Sequence, residues 1–403
     1  MKDKVVISNE NEVYVKIDCP EGIRYELRDY QIEAFVHAIR SRRALLLSPT
    51  ASGKSLIIYM IIRYLLSQDC KKVLIIVPTT SLVSQLFKDF KDYGFDSDTF
   101  VHKVFSGQEK VSNKPIIIST WQSLYTQSPS FFKNFDVIIG DEAHLFKAKS
   151  LATIMTGLIN AKYRIGTTGT LDGTKTHKLV LEGLFGQVRK VITTSELMEQ
   201  KVVADFTIKC LLLKHSDSLC QAAKNFTYAQ EMQYLVLNEA RNNFIANLAL
   251  SLEGNTLVLY QYVDKHGKIL HEMISKKVEG RKVLFVSGDT DVEVREEIRA
   301  IVETEKDAII IASYGTFSTG INIKNLHNII FASPSKSRVR NLQSIGRGLR
   351  KSETKDAATL FDIADDLRHK KHENFTIKHF AERIKIYSEE KFVFKIYKVE
   401  LKG

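Results

Sequence analysis

Ser48-Pro49-Thr50-Ala51-Ser52-Gly53-Lys54-Ser55 stands between the apolar run Ala44–Leu47 and the helical run Leu56–Leu66. A strand, a short polar loop and a helix in that order form a phosphate cradle. Backbone N–H groups of the loop and the unpaired amides at the helix start converge on one anion. Thr50, Ser52 and Gly53 are the expected loop contacts to ATP. Lys54 is expected to reach its β- and γ-phosphates, and the Ser55 hydroxyl to ligate Mg²⁺. Ser48 occupies the place where the common pattern has its first glycine.

Outward from this loop, short apolar runs recur at Val73–Val77, Ile116–Ser119, Asp136–Ile139 and Arg164–Thr167. Each is apolar on successive residues, as a strand buried on both faces must be. Amphipathic stretches such as Leu82–Tyr93 lie between them, and that alternation predicts a parallel sheet covered by helices. A second series follows at Thr256–Tyr260, Lys282–Val286, Ala308–Ala312, Asn328–Ala332 and Ala358–Asp362, with helical segments at Val292–Glu303 and Val339–Arg350. The chain therefore reads as two α/β domains in tandem. Phe206–Lys214 already has the look of a strand, so the seam is expected between about 190 and 210.

Asp141-Glu142-Ala143-His144 follows the run ending at Ile139. Carboxylates at the carboxyl end of a central strand open on the same crevice as the phosphate loop. Asp141 is expected to hold Mg²⁺, Glu142 to act as base toward the attacking water, and His144 to couple the site to the second domain. A third element, Gln343-Ser344-Ile345-Gly346-Arg347-Gly348-Leu349-Arg350, puts Gln343, Arg347 and Arg350 at i, i+4 and i+7, on one helical face. Two glycines in such a helix cost about 1 kcal/mol each against alanine, which points to a ligand or another backbone close by. Arg347 and Arg350 are expected to neutralise charge on the transferring phosphoryl group, with Gln343 beside them.

Composition narrows the partners. With 403 residues, two large domains are the default. No apolar run reaches the roughly 20 residues of a membrane helix, and the polar start MKDKVVISNENEV has no secretory core. The expected setting is cytoplasmic. A net charge of +11 suits a polyanion, because Lys and Arg facing phosphates release counterions. Cys19, Cys70, Cys210 and Cys220 lack zinc spacing and read as reduced thiols. From 367 the chain runs through Arg368, His369, Lys370, Lys371 and His372, then alternates rings and bases through Phe375, Phe380, Arg383, Tyr387, Phe394 and Tyr397. Two readings stay open for this segment: a nucleic-acid strut, or an amphipathic helix docked on the second domain with a solvated basic face.

The three phosphate-site elements, in this order, resemble the superfamily-two helicases of the DEAH type. The resemblance implies further roles. Leu27-Arg28-Asp29-Tyr30-Gln31 looks like the adenine segment, with Arg28 and Gln31 at the nucleotide. Val77-Pro78-Thr79-Thr80 and Ser119-Thr120-Trp121-Gln122 look like the strand-gripping segments, giving Pro78 and Thr79 and then Thr120 as nucleic-acid contacts. Thr168-Gly169-Thr170 matches the coupling motif. Ser313–Asn322 matches the motif linking nucleic acid to ATP, with Ser313, Thr316 and Thr319 on the strand and Gly320 and Asn322 toward the nucleotide.

Within the superfamily the chain is similar to the recombination helicases of T-even phages. Leu181–Gly186, Val286–Asp291 and Lys324–His327 carry that likeness outside the ATPase motifs. About 25 residues precede the adenine segment, where the phage enzymes carry a sizeable further domain, and Gly140 replaces a bulkier aliphatic before the Asp-Glu pair. The resemblance implies two tandem RecA-like domains: a short N-terminal extension at 1–25, an ATP-binding domain at 26–200, a second domain at 201–366 and a basic, aromatic helical extension at 367–403. It also implies an ATP- and Mg²⁺-dependent, monomeric DNA motor in a bacterial or phage-infected cell. Its expected substrates are single-stranded and branched DNA, with RNA in R-loops. The same core serves RNA helicases and duplex translocases that separate no strands.

Overall fold

The computed structural model describes residues 17–105, 109–145, 148–320, 323, 325–334, 337, 345–346 and 357–401. The chain divides into two compact units, Met1–Ser48 with Gly53–Ile192, and Thr193–Gly403 with Pro49–Ser52.

The first unit is built on seven strands: β1 (Arg43–Leu47), β2 (Val73–Val77), β3 (Val101–Val104), β4 (Ile116–Thr120), β5 (Val137–Gly140), β6 (Tyr163–Thr168) and β7 (Val188–Lys190). They lie in the order β3-β4-β2-β5-β6-β1-β7, every pair parallel. Alternate residues of one strand feed two separate cores. In β2, Val73, Ile75 and Val77 pack with the helices α1 (Asp29–Ser41), α2 (Lys54–Ser67) and α3 (Thr80–Asp92). Leu74 and Ile76 face the opposite layer, with Phe132, Ile154, Leu181 and Phe185. Burial on both faces is why these strands read as unbroken apolar runs rather than alternating ones.

The second unit repeats the plan with β8 (Asp205–Lys214), β9 (Thr256–Tyr260), β10 (Val283–Val286), β11 (Ile309–Ser313), β12 (Asn328–Phe331), β13 (Ala357–Asp366) and β14 (Val393–Glu400). The order is β10-β11-β9-β12-β13-β8-β14, again all parallel. Two tandem parallel sheets flanked by helices are the RecA-like arrangement. The segment after 367 holds the helix Phe375–Glu389 and then continues into β14, which pairs with β8 along its whole length. It is therefore woven into the second sheet. Arg383 and Tyr387, placed among the strut residues by the strut reading, are buried on Asp362: Arg383 Nε lies 2.8 Å from Asp362 Oδ2, and the Tyr387 hydroxyl donates to the same oxygen at 2.8 Å. Those two side chains are corrected from strut to core, because a basic residue one helical turn from an aromatic one also suits a docked face.

Candidate active site

Parallel strands put their carboxyl ends on one edge, and in the first unit the β1, β6 and β5 ends lie side by side. The loop after β1 starts pinned: Ser48 N–H donates to Thr168 O at 2.9 Å. Ala51 (φ 68°) and Gly53 (φ 82°) then turn it through left-handed backbone into α2. Only glycine suits position 53, since a Cβ there would sit 2.3 Å from Gln31 Nε2. Gln31 is buried, and its Oε1 accepts from the Arg28 backbone N–H at 3.1 Å, which ties the start of α1 to the loop. Lys54 Nζ donates to Ser48 O at 3.3 Å and lies 3.5 Å from Glu142 Oε1. The Ser55 hydroxyl shares a 2.7 Å hydrogen bond with the Tyr93 hydroxyl.

Asp141 and Glu142 leave the end of β5. Asp141 Oδ1 accepts from Thr167 Oγ1 at 2.6 Å and from the Glu142 N–H at 2.9 Å. Burial, then the neighbouring Glu142 charge, pushes the Asp141 carboxyl up to about 6. For Glu142, burial pulls upward, yet Lys54, His144 and the Gly169 amide together hold it below its ordinary value. With opposed shifts on two adjacent carboxylates, Glu142 is the one kept charged. Glu142 sits at φ 48°, left-handed backbone that a non-glycine residue occupies at a cost of about 1–3 kcal/mol. That corner turns its side chain back toward Lys54.

His144 extends the site to β6. Its Nδ1 lies 2.6 Å from Thr168 Oγ1 and 3.5 Å from Glu142 Oε2. The Thr168 hydroxyl gives its own proton to Thr170 O at 2.8 Å, so the imidazole Nδ1 is the donor in the His144–Thr168 bond. Burial lowers the His144 pKa and keeps the ring neutral. A hydrogen-bonded line thus runs from His144 to Thr168 and Thr170, with Glu142 Oε2 3.5 Å from its start, and Gly169 contributes its amide to Glu142.

The expected strand-gripping segments meet one another on the same edge. Pro78 and Thr79 follow β2, Thr120 ends β4, and Gln122 Nε2 donates to Pro78 O at 3.3 Å. Thr79 caps α3 by accepting from Leu82 N–H at 3.4 Å, and Thr120 Oγ1 lies 2.9 Å from Ser123 Oγ. Between them is a cleft of about 490 Å³ lined by Pro78, Thr79, Phe105, Lys110, Thr120 and Gln122. Trp121 packs partly buried against the core. In the second unit Ser313 and Thr316 bond each other at 2.7 Å at the end of β11, and Phe317 is wholly buried. Thr319 and Gly320 close the helix Tyr314–Gly320; the Thr319 side chain, Asn322, Gln343, Arg347 and Arg350 lie outside the described residues.

Sequence reasoning missed Tyr93, Gln122 and Thr167. Tyr93 carries no local signal, because its partner is 38 positions away. Gln122 lay within a quoted segment, but its partner Pro78 follows a different strand. Thr167 was hidden inside an apolar run.

Residues 24–173 match the family described as type III restriction enzyme, res subunit, and residues 240–352 match the helicase conserved C-terminal domain. The chain is 36% identical over 395 residues to the ATP-dependent DNA helicase uvsW of Enterobacteria phage T4, covering 94% of this chain and 78% of that one. It is 25% identical to the DNA 3'-5' translocase XPB2 of Sulfurisphaera tokodaii, covering 82% and 80%. Among solved structures, the ATP-dependent Type ISP restriction-modification enzyme LlaBIII bound to DNA shares the fold at a TM-score of 0.67 and 17% identity, over 96% of this chain and 32% of that one.

Proposed function

We propose, starting from the fact that this chain belongs to the superfamily-two helicases of the uvsW family, that it is an ATP-dependent DNA helicase and translocase remodelling branched DNA. The reactions are fork regression, branch migration and the unwinding of R-loops and D-loops, the last of these engaging RNA. One observation carries the reading: Lys54, Glu142, His144 and Thr168 form a single chain of contacts across the ends of three adjacent strands. A solvated surface cluster has no reason to bury a histidine or to hold a glutamate in left-handed backbone.

ATP is held by Gln31 and Arg28 at the base and by Thr50, Ser52, Gly53 and Lys54 at the phosphates. Gly320 and Asn322 contribute from the second unit. Lys54, resting on Ser48 O and Glu142, exchanges those partners for phosphate oxygens. The donors suit Mg²⁺, which takes oxygen ligands and keeps several waters. The Thr167 and Glu142 hydrogen bonds to Asp141 both fall on Oδ1, so Asp141 would hold Mg²⁺ through its other carboxylate oxygen, and Ser55 would add its hydroxyl. When bound, the ion neutralises charge on the phosphate oxygens. Glu142, held charged, accepts the proton of the attacking water. Arg347, Arg350 and Gln343 supply the remaining positive and polar groups for the transferring phosphoryl. The line from His144 through Thr168 to Thr170 reports the state of Glu142 to the end of β6.

A strand lies along Pro78, Thr79 and Thr120 and along Ser313, Thr316 and Thr319. The motor acts as a monomer in the cytoplasm of a bacterial or infected cell. No helix of the described residues is long and apolar enough to cross a membrane. The test is ATP hydrolysis by the full chain with single-stranded DNA, duplex, RNA or a four-way junction. The junction and single strands are expected to stimulate most. Stimulation by RNA alone overturns the branched-DNA reading.

A further inference from the structure

The basic run after β13 is only partly absorbed by the core. His369 and His372 bridge each other, with N–H···O distances of 3.2 and 2.9 Å, so Lys370 and Lys371 form the tip of a two-residue turn. Turns of this kind favour asparagine and glycine, because their residues take positive φ. Lys370 has φ 53°. A lysine kept in that conformation suggests that its charge is wanted at the tip.

The charges around the turn are unequally matched. Arg368 is spent on Asp366, at 2.7 Å from its Oδ2, and Glu373 acts on Arg368. Lys370, Lys371 and Lys378 are exposed and have no carboxylate partner among the described residues. With His372 and Glu373 they line an open cleft of about 520 Å³. One helical face beyond it carries Phe375, Lys378 and His379. Exposed Tyr228 meets this face, 5.9 Å from the Phe375 ring and 5.4 Å from the His379 ring. Three free ammonium groups beside an exposed aromatic pair combine the two elements that bind single strands.

The helix N-terminus is not the anion site. Buried Glu231 already occupies it, its carboxylate accepting from Phe375 N–H at 2.8 Å, Thr376 N–H at 2.7 Å and Asn374 Nδ2 at 2.9 Å. That capping instead fixes the turn in place. The turn also belongs to the edge already assigned to the strand. β13 runs parallel to its neighbours, so its carboxyl end shares an edge with the Ser313–Thr316 end of β11. A buried network joins the two: Asp365 holds Arg241, Arg241 donates to Ala332 O at 2.9 Å, and the Tyr314 hydroxyl donates to Ser333 O.

We propose that the Lys370-Lys371 turn, with Lys378, Tyr228 and Phe375, is a second nucleic-acid contact of this unit, taking the phosphates of a DNA strand on the lysines and a base on the exposed rings. It rests on the DNA-motor reading above and adds a site to it. The test is anisotropy of a labelled single-stranded oligonucleotide titrated with the full chain at several salt concentrations. Lys370→Gly with Lys371→Ser removes two charges while relieving the turn, so the fold is kept. Each phosphate contact on a single strand contributes about 0.7 to the slope of log affinity against log salt, so the slope should fall by about 1.4, and affinity at 0.1 M salt by about 25-fold. Tyr228→Ala should weaken binding at least about fivefold with no change of slope, as loss of stacking does. An unaltered slope in the turn variant overturns the proposal. An equal fall in Lys276→Ala, whose lysine is paired to Glu272 on the exposed face of the helix Lys268–Lys277, overturns it too. Failure of any DNA to stimulate the unmodified chain would instead sink the motor reading beneath it.

Discussion

Replacing Glu142 with glutamine removes a charge and little else. The side chain keeps its size and its left-handed corner, and its amide still reaches Lys54 and the Gly169 N–H. What disappears is the proton acceptor, and general bases contribute about 10²–10⁴ in rate. At about 1.4 kcal/mol per decade, this is roughly 3–5 kcal/mol of barrier. The electrostatics set the accompanying change in stability. At an effective dielectric of about 20, the 3.5 Å approach of Lys54 is worth roughly 5 kcal/mol of gross attraction. Burial opposes it. Because the Glu142 pKa is lowered, attraction prevails over burial, so Glu142→Gln should lose stability rather than gain it, seen as a lower midpoint for the first unit. Lys54, freed of its carboxylate, should bind ATP at least as tightly. The assays are steady-state hydrolysis at saturating ATP and DNA, fluorescent-nucleotide binding and a thermal melt. Turnover within tenfold of the unmodified protein refutes the base assignment. A fall of 10 °C with loss of nucleotide binding would show the residue to be structural.

The second unit offers two further tests. Asp365 is fully buried, accepts from Arg241 Nε at 2.9 and 3.0 Å and lies 3.0 Å from His215 Nε2, and despite burial those partners hold it down to about 2. Asp365→Leu should cost about 3–5 kcal/mol by stranding the guanidinium, while Asp365→Leu with Arg241→Met should recover most of it; calorimetry in which the double variant is no better than the single one contradicts this. His266, buried on Ser333 at 2.8 Å, is driven by burial down to about 3, so it folds neutral. A depressed pKa gives stability that is complete above about 6.5 and is lost as pH falls toward 3, by at most about 1.4 kcal/mol per pH unit. Urea midpoints at pH 7.5, 6 and 5 should fall accordingly and flatten in His266→Gln; equal slopes in the two proteins defeat the assignment.

Much of this architecture was legible because central parallel strands are buried twice. Val73–Val77 and Thr256–Tyr260 are unbroken apolar runs and coincide with β2 and β9. Of the four edge strands, the apolar β10 was legible as the run Lys282–Val286 and the other three were not. β3, β7 and β14 read VHKV, VRK and VFKIYKVE, interrupted by charges, because one flank of each meets solvent. At the site, the phosphate loop and Asp141-Glu142 were readable since their neighbours in sequence are also their neighbours in space. The His144–Thr168 and Ser55–Tyr93 bonds were not, for they depend on which strands lie side by side and on where α3 ends. The tail was ambiguous for a different reason. Lysines that stay in water and an arginine that enters the core have the same spacing from rings, and only the presence of Asp362 beneath Arg383 separates them.

The pairing of the final strand has a practical side for anyone cutting the gene. Residues 393–400 pair with β8 from Thr207 to Lys214, a stretch whose Cys210, Leu211, Leu212 and Leu213 are buried. A clone stopped at the natural-looking boundary of 366 would strip that cover, baring a row of main-chain donors and acceptors flanked by leucines. Such a fragment invites other copies of itself to fill the gap, so insolubility of the shortened product would reflect a missing neighbour rather than an unstable domain.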